Sequence, residues 1–147
     1  RSRWWGGVAE WRELAGLVRQ QLGAQLLLVG SAPAAEVAAL PAELASAVNC
    51  LTLRTSAALL ASARAVVSTD SGPLHLAQAL AVPTLGLFGP SLPEITGPRR
   101  SDAQVLYGTV ACAPCNSNSC ADQQCMQQLT PDKVAAALVE LLQRTGS

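Results

Sequence analysis

The stretch Ser68-Thr-Asp-Ser-Gly-Pro-Leu-His75 holds residue types that suit anion binding. A short apolar run ends at Thr69, Asp70-Ser71-Gly72 turns the chain, and Pro73 suits the first turn of a helix. That order leaves unpaired backbone N–H groups near Ser71 and Gly72 at a helix N-terminus, where the helix dipole also favours negative charge. Gly72 allows a ligand close to the backbone. His75, one turn in, can point at the same anion. Phosphate fits such a turn, and the carboxyl end of a parallel strand is where open α/β sheets bind ligands. Taken alone, Asp70 and Ser71 also read as ordinary helix caps, and a single His is more often structural. The whole segment decides between these readings.

A second group is Cys112, Cys115, Cys120 and Cys125, spaced C-x2-C-x4-C-x4-C. Four thiolates can hold zinc tetrahedrally or an iron–sulfur cluster. The plainer alternative, and the one the spacing favours, is a loop of reduced or disulfide-linked thiols that pins the last helix. Cys50 reads as a small core residue.

The elements around these groups alternate. Val8–Leu22 carries apolar residues at helical spacing, with Gly23 as a stop signal. Residues 25–30 form a continuous apolar run, expected to be a strand buried on both faces. Residues 34–47 are Ala-rich and suit one or two short helices interrupted at Pro41. Residues 49–53 are a second strand candidate, and Ser56 is a plausible N-cap for a helix over 57–63. Residues 65–69, 83–88 and 104–107 complete the strands, with a helix over 73–80 between the first two. Residues 109–129 look like an irregular loop. Thr130-Pro131-Asp132 opens a terminal helix over 131–143. The predicted fold is α/β: a Rossmann-like parallel sheet with helices on both faces.

Bulk properties narrow the function. The 147 residues suit one domain, and half are hydrophobic against 14% charged, enough for a core. Ten basic residues balance ten acidic ones, which argues against a nucleic-acid partner. No basic amphipathic stretch, spanning segment or signal peptide stands out. Doubly wound domains normally open on a strand, whereas this sequence opens on a helix. The expectation is therefore a domain over 1–147 truncated at its N-terminus.

Asp70-Ser-Gly-Pro-Leu-His-Leu-Ala-Gln-Ala-Leu80, followed by Val82-Pro-Thr, Leu87-Phe-Gly-Pro90 and Gly97-Pro98, resembles the signature of glycosyltransferase family 9. That family includes the ADP-heptose:lipopolysaccharide heptosyltransferases. The tail agrees: Cys112-Ala-Pro-Cys115, Cys120, Cys125-Met126 and Leu129-Thr-Pro-Asp-Lys-Val134 resemble the Cys-rich end of heptosyltransferase II-like members. Arg3-Trp4-Trp5 resembles a basic–aromatic motif that follows the first strand of the donor domain. The resemblance covers nearly the whole chain and is strong over 66–134.

The resemblance implies the C-terminal half of a GT-B enzyme, in which two Rossmann-like domains face each other across a cleft. Its activity would be inverting transfer of heptose from ADP-heptose to the lipopolysaccharide inner core, with no metal at the phosphates and no required cofactor. Ser71, Gly72 and Pro73 would line the diphosphate pocket and His75 would support it. Asp70 would orient the turn or touch the donor sugar. Arg3, with Arg1 as fallback, would bring positive charge. Glu36 follows the run ending at Gly30, where an acidic residue can bond ribose hydroxyls; a solvent-facing Glu fits there equally. Gly89 and Pro90 would shape the cleft wall.

No catalytic residue is expected in this chain, since the base would lie in the absent N-terminal domain. The fragment alone would bind donor weakly and transfer little. Its partners would be a nucleotide-sugar donor and, through the other domain, a lipid-linked oligosaccharide acceptor. Peripheral membrane association would belong only to the full-length protein, in the cytoplasm or at the cytoplasmic face of the inner membrane. Two alternatives stand beside this reading: another GT-B nucleotide-sugar enzyme, and a non-enzymatic metal or redox module built on the four clustered Cys.

Overall fold

The two long helices follow from their caps and stripes. Helix α1 (Val8–Leu22) starts where the Glu10 carboxylate accepts the Gly7 N–H at 2.7 Å. It ends at Gly23, whose left-handed backbone (φ 59°) returns an N–H to the Arg19 carbonyl. The computed structural model describes residues 5–117 and 119–146. Between the ends of the chain lie α2 (Ala34–Ala38), α3 (Leu53–Ala61), α4 (Gly72–Ala79), α5 (Pro93–Thr96) and α6 (Gln124–Gln127). Helix α7 (Pro131–Thr145) opens with Pro131, places Asp132 in its first turn and Arg144 in its last, and stops at left-handed Gly146. Its Val134, Ala135, Ala137, Leu138, Leu141 and Leu142 are all buried. Fully burying each such leucine contributes about 1.5–3 kcal/mol.

Three parallel strands make the sheet, in the order β1 (Val66–Thr69), β2 (Thr84–Phe88), β3 (Ala103–Tyr107). Val66 pairs with Thr84 and Thr84 with Ala103, so the period-2 alternation sorts side chains onto two faces. Leu85 and Leu87 join Leu14, Val18, Leu138 and Leu141 in one cluster, under α1 and α7. On the other face Val66 packs with Leu60 of α3, Ala77 of α4 and Val82. Every residue of β2 is buried, as a central strand covered on both faces requires. The chain is thus an α/β layer structure with helices on both sides of a parallel sheet.

Several elements depart from the sequence expectations. The apolar run at 25–30 forms only one parallel bridge, Leu28 to Ser46, and Leu27 is 40% exposed rather than buried. Its partner turns at Asn49, which adopts φ 61° while its N–H still bonds the Gly30 carbonyl and its side-chain amide bonds both the N–H and the carbonyl of Ala32. No strand forms over 49–53: residues 49 and 50 are turn, and Leu53 already opens α3. Thr52, not Ser56, caps α3 through the Thr55 N–H, so the helix begins four residues earlier than expected. The Cys-rich stretch is not wholly irregular, since it contains α6, and α7 runs two residues beyond 143.

Just before β3, Arg100 holds Asp102 by two hydrogen bonds at 2.9 Å. These bonds keep the Asp102 carboxyl below the usual carboxylate range. A depressed carboxylate stabilises the fold above its unfolded pKa, and that contribution is lost as pH falls through the folded pKa. Both side chains are partly exposed, so the contribution is small. Asp102→Asn is expected to lower the urea midpoint slightly at neutral pH. The difference should vanish in acid strong enough to protonate Asp102. An equal or larger difference in acid would contradict the assignment.

Candidate functional site

The turn joining β1 to α4 lies at the carboxyl end of the sheet. Ser71 occupies the N-cap in extended backbone and Pro73 sits in the first turn of α4. The Ser71 hydroxyl faces inward: it lies 3.0 Å from the Ser68 hydroxyl and donates to the Thr69 carbonyl at 3.1 Å. Its role in this geometry is to brace the turn. The Ser71 carbonyl accepts the Leu74 N–H at 3.0 Å. Gly72 is exposed, and apart from its chain neighbours and the helix's own backbone no heavy atom lies within 4 Å of where a Cβ would stand. The open face of the turn is therefore backbone at Gly72.

Asp70 is buried beside this turn, with 6% of its side chain exposed. Its Oδ2 accepts the Thr96 hydroxyl at 3.1 Å, and its Oδ1 lies 3.7 Å from His75 Nε2. His75 is more than half exposed, so it reaches over the buried carboxylate toward solvent. The structure thus brings Asp70, Ser71, Gly72, Pro73 and His75 into one constellation, with Asp70 inside and Gly72 and His75 outside. Thr96 belongs to it and was not anticipated. Pro93-Glu94 after Leu92 marks the helix start locally, but nothing along the chain signals that Thr96 meets Asp70.

The other expected positions fall elsewhere. Glu36 lies partly buried in the first turn of α2. Arg1 and Arg3 lie outside the described residues. Trp5 is a core residue, 3% exposed, with its indole N–H donating to the Leu129 carbonyl and its ring edge-on to Trp11 at 4.7 Å. Pro90 accepts the Asn116 N–H at 2.7 Å and so ties the Cys-rich stretch to the end of β2.

Cys112, Cys115, Cys120 and Cys125 line one concavity of about 110 Å³ together with Pro90, Ala113, Asp122 and Gln124. All four are free thiols. Among the described residues no three His, Cys, Asp or Glu side chains stand close enough to grip an ion as they are placed. Cys50 is exposed, not in the core, because its segment turns instead of forming a strand. Burial pushes the Cys125 thiol above its ordinary value, and the neighbouring Cys115 and Cys112 add to the rise. Tyr107, at the end of β3, has a buried hydroxyl without a hydrogen-bond partner. Its pKa is raised, first by burial and then by Glu94 and the thiols of Cys125 and Cys115. No helix among the described residues is long and apolar enough to cross a membrane.

Residues 3–126 match the family model of glycosyltransferase family 9 (heptosyltransferase). The chain is 37% identical to lipopolysaccharide heptosyltransferase 1 of Pseudomonas aeruginosa, over 91% of this chain and 43% of that one. It superposes on the E. coli heptosyltransferase WaaC with ADP at a TM-score of 0.72 and 27% identity, covering 95% of this chain and 40% of that one. For the E. coli ADP-heptose LPS heptosyltransferase II the figures are 0.65 and 26%, with coverage of 96% and 44%. The chain spans less than half the length of each of these proteins.

Proposed function

The chain belongs to glycosyltransferase family 9, and from that premise we propose that it is the donor-binding, C-terminal half of a heptosyltransferase. In the full-length protein it would hold ADP-heptose while heptose passes to a lipopolysaccharide inner-core acceptor. The transfer would invert the anomeric centre by direct displacement, with no metal at the phosphates. The catalytic base and the acceptor would come from the other domain, at the cytoplasmic face of the inner membrane.

The observation that carries this reading is the open backbone at Gly72, at the start of α4 and the carboxyl end of β1. A diphosphate set there meets the Gly72 N–H and the positive end of a helix dipole. Such preorganised donors stabilise the charge that develops on a departing nucleoside diphosphate. Ser71 braces the turn from inside, and Pro73 fixes the helix start beside the phosphates. Asp70, fixed by Thr96, orients His75 toward the ligand, and Arg3 adds positive charge. Glu36 is the candidate partner for the ribose. The relatives support the donor class, because one of the matched solved structures holds ADP and another ADP-2-deoxy-2-fluoro heptose.

Calorimetric titration of the folded chain with ADP, ADP-heptose and a uridine diphosphate sugar tests the proposal. Binding of the two adenine ligands, with ADP-heptose at least as tight as ADP and the uridine sugar weaker, is the expected order. A well-folded chain that prefers the uridine sugar would refute the donor assignment.

A further inference from the structure

Asp70 is a buried carboxylate beside a turn that would hold phosphates, and its negative charge opposes an anion bound there. We propose that Thr96 is a positioning residue for the donor: its hydroxyl holds one oxygen of Asp70 so that the other stays on His75, and this bond is felt as affinity at the phosphates. The inference rests on the donor-binding reading and adds to it a residue outside the β1–α4 turn, one that reaches the ligand only through two other side chains.

The Thr96 hydroxyl has two acceptors near it, and the geometry chooses between them. Its Oγ1 lies 3.1 Å from Asp70 Oδ2 and 3.5 Å from the Leu92 carbonyl. The Leu92 carbonyl already accepts the N–H groups of Ile95 and Thr96, at 3.1 and 3.2 Å, which uses both its lone pairs. A hydrogen bond to a charged acceptor is also about twice as strong as one between neutral groups. The single O–H proton therefore goes to Asp70 and not back into its own helical turn. Helix α5 is braced to deliver it. The Gly97 N–H bonds the Pro93 carbonyl at 2.7 Å, a Cβ on Gly97 would overlap that carbonyl, and Arg99 donates to the Glu94 carbonyl at 2.8 Å.

A carboxylate is planar, so fixing Oδ2 also constrains where Oδ1 points. Here Oδ1 stands 3.7 Å from His75 Nε2, too long for a hydrogen bond but short enough for the charge to act on the ring. Helical side chains lean toward the N-terminus, so His75 covers the first turn of α4, which contains Gly72. More than half of the His75 side chain is exposed, so a phosphate at Gly72 meets the ring, with Asp70 on the inner side. With Thr96 in place, a hydroxyl proton and the imidazole both offset the Asp70 charge. Without it, Oδ2 loses a donor in a buried setting, and the carboxylate plane loses one of the contacts that set it.

Calorimetric titration with ADP compares wild type with Thr96→Val, which keeps the shape and loses the hydroxyl, and with Thr96→Ser, which keeps the hydroxyl. Valine is expected to weaken ADP binding about tenfold and serine less than about twofold. In the His75→Ala background, where the chain of contacts is already cut, Thr96→Val should cost less than about twofold more. Asp70→Asn combined with Thr96→Val carries no buried charge, so it serves even if Thr96→Val alone does not fold; it should bind ADP as Asp70→Asn alone does. Circular dichroism checks the folding of each. Unchanged ADP affinity in folded Thr96→Val, beside a wild type that binds, would overturn the role of Thr96 and leave the donor reading standing. So would a loss that persists undiminished in either background, or one that serine does not repair, since general loosening would then explain it. A folded wild type without ADP affinity would instead bring down the donor reading, and this inference with it.

Discussion

Gly72→Val is expected to weaken ADP binding at least about tenfold, equivalent to about 1.4 kcal/mol, while the chain melts near the wild-type temperature. The two halves of this expectation have separate physical causes. Apart from its chain neighbours and the helix's own backbone, nothing lies within 4 Å of the position a Cβ would take, and Gly72 is not among the residues with positive φ. The fold therefore accepts the larger side chain, and valine in place of glycine at a helix start costs no more than a few tenths of a kcal/mol in propensity. Under the proposed donor binding, the same empty space is the one the diphosphate would enter to reach the Gly72 N–H. A branched side chain there keeps the phosphates at a distance. Calorimetry and a melting curve on the same preparation check both halves. Unchanged ADP affinity in a folded variant would move the phosphates away from the β1–α4 turn. Ser71→Ala is the informative contrast, because it removes the inward brace on Thr69 and Ser68 without blocking the open face.

Gly108→Ala should lower the unfolding free energy by about 3 kcal/mol, the upper end of the usual overpacking range. The new methyl group meets the carbonyl and backbone of Cys125, which cannot rotate away. Either α6 lifts from the end of β3 or the β3 end bends, and both expose the buried Cys125 and Met126. Gly89→Ala offers the control. Its Cβ would lie 2.6 Å from Met126 Sδ, the far part of a flexible side chain, with the Cys125 sulfur next at 2.8 Å. Met126 has rotatable bonds with which to adapt, so the loss there should be nearer about 1 kcal/mol. Urea unfolding of both variants ranks them. A Gly108→Ala protein as stable as wild type would mean that α6 does not dock where the structure places it.

The two effects meet at one edge of the molecule. Asp70, Gly72 and His75 follow β1, Gly89 and Pro90 follow β2, and Gly108 follows β3. The β1–α4 turn and the cysteine concavity thus share the carboxyl edge of a single sheet. Pro90 touches both the end of β2 and the wall of the concavity, and Asn116 is tied to its carbonyl.

The sequence determined what depends on neighbours along the chain. The apolar stripe of α7 and its Thr130-Pro131 start set that helix, and the glycine at 23 set the end of α1. The strand–turn–helix over 66–79 was legible for the same reason: an apolar run, a small-residue turn and a proline in the first helical turn are all local signals. Asp70, Ser71, Gly72 and His75 therefore fall at the turn where the sequence put them.

Only the tertiary structure decided the rest. An apolar run such as 25–30 carries no information about how far its partner will stay paired, and here the partner makes one bridge and then turns at Asn49. The direction of the Ser71 hydroxyl, inward to Ser68 and Thr69, depends on groups that the fold places opposite it. Thr96 reaches Asp70 across 26 residues, and Trp5 reaches Leu129 across 124. Contacts of that separation arise when the layers pack, and side-chain spacing along the chain does not encode them. The four cysteines show both limits at once: their spacing announced a cluster, while the burial of Cys125 and the exposure of the other three came from where α6 met the ends of β2 and β3.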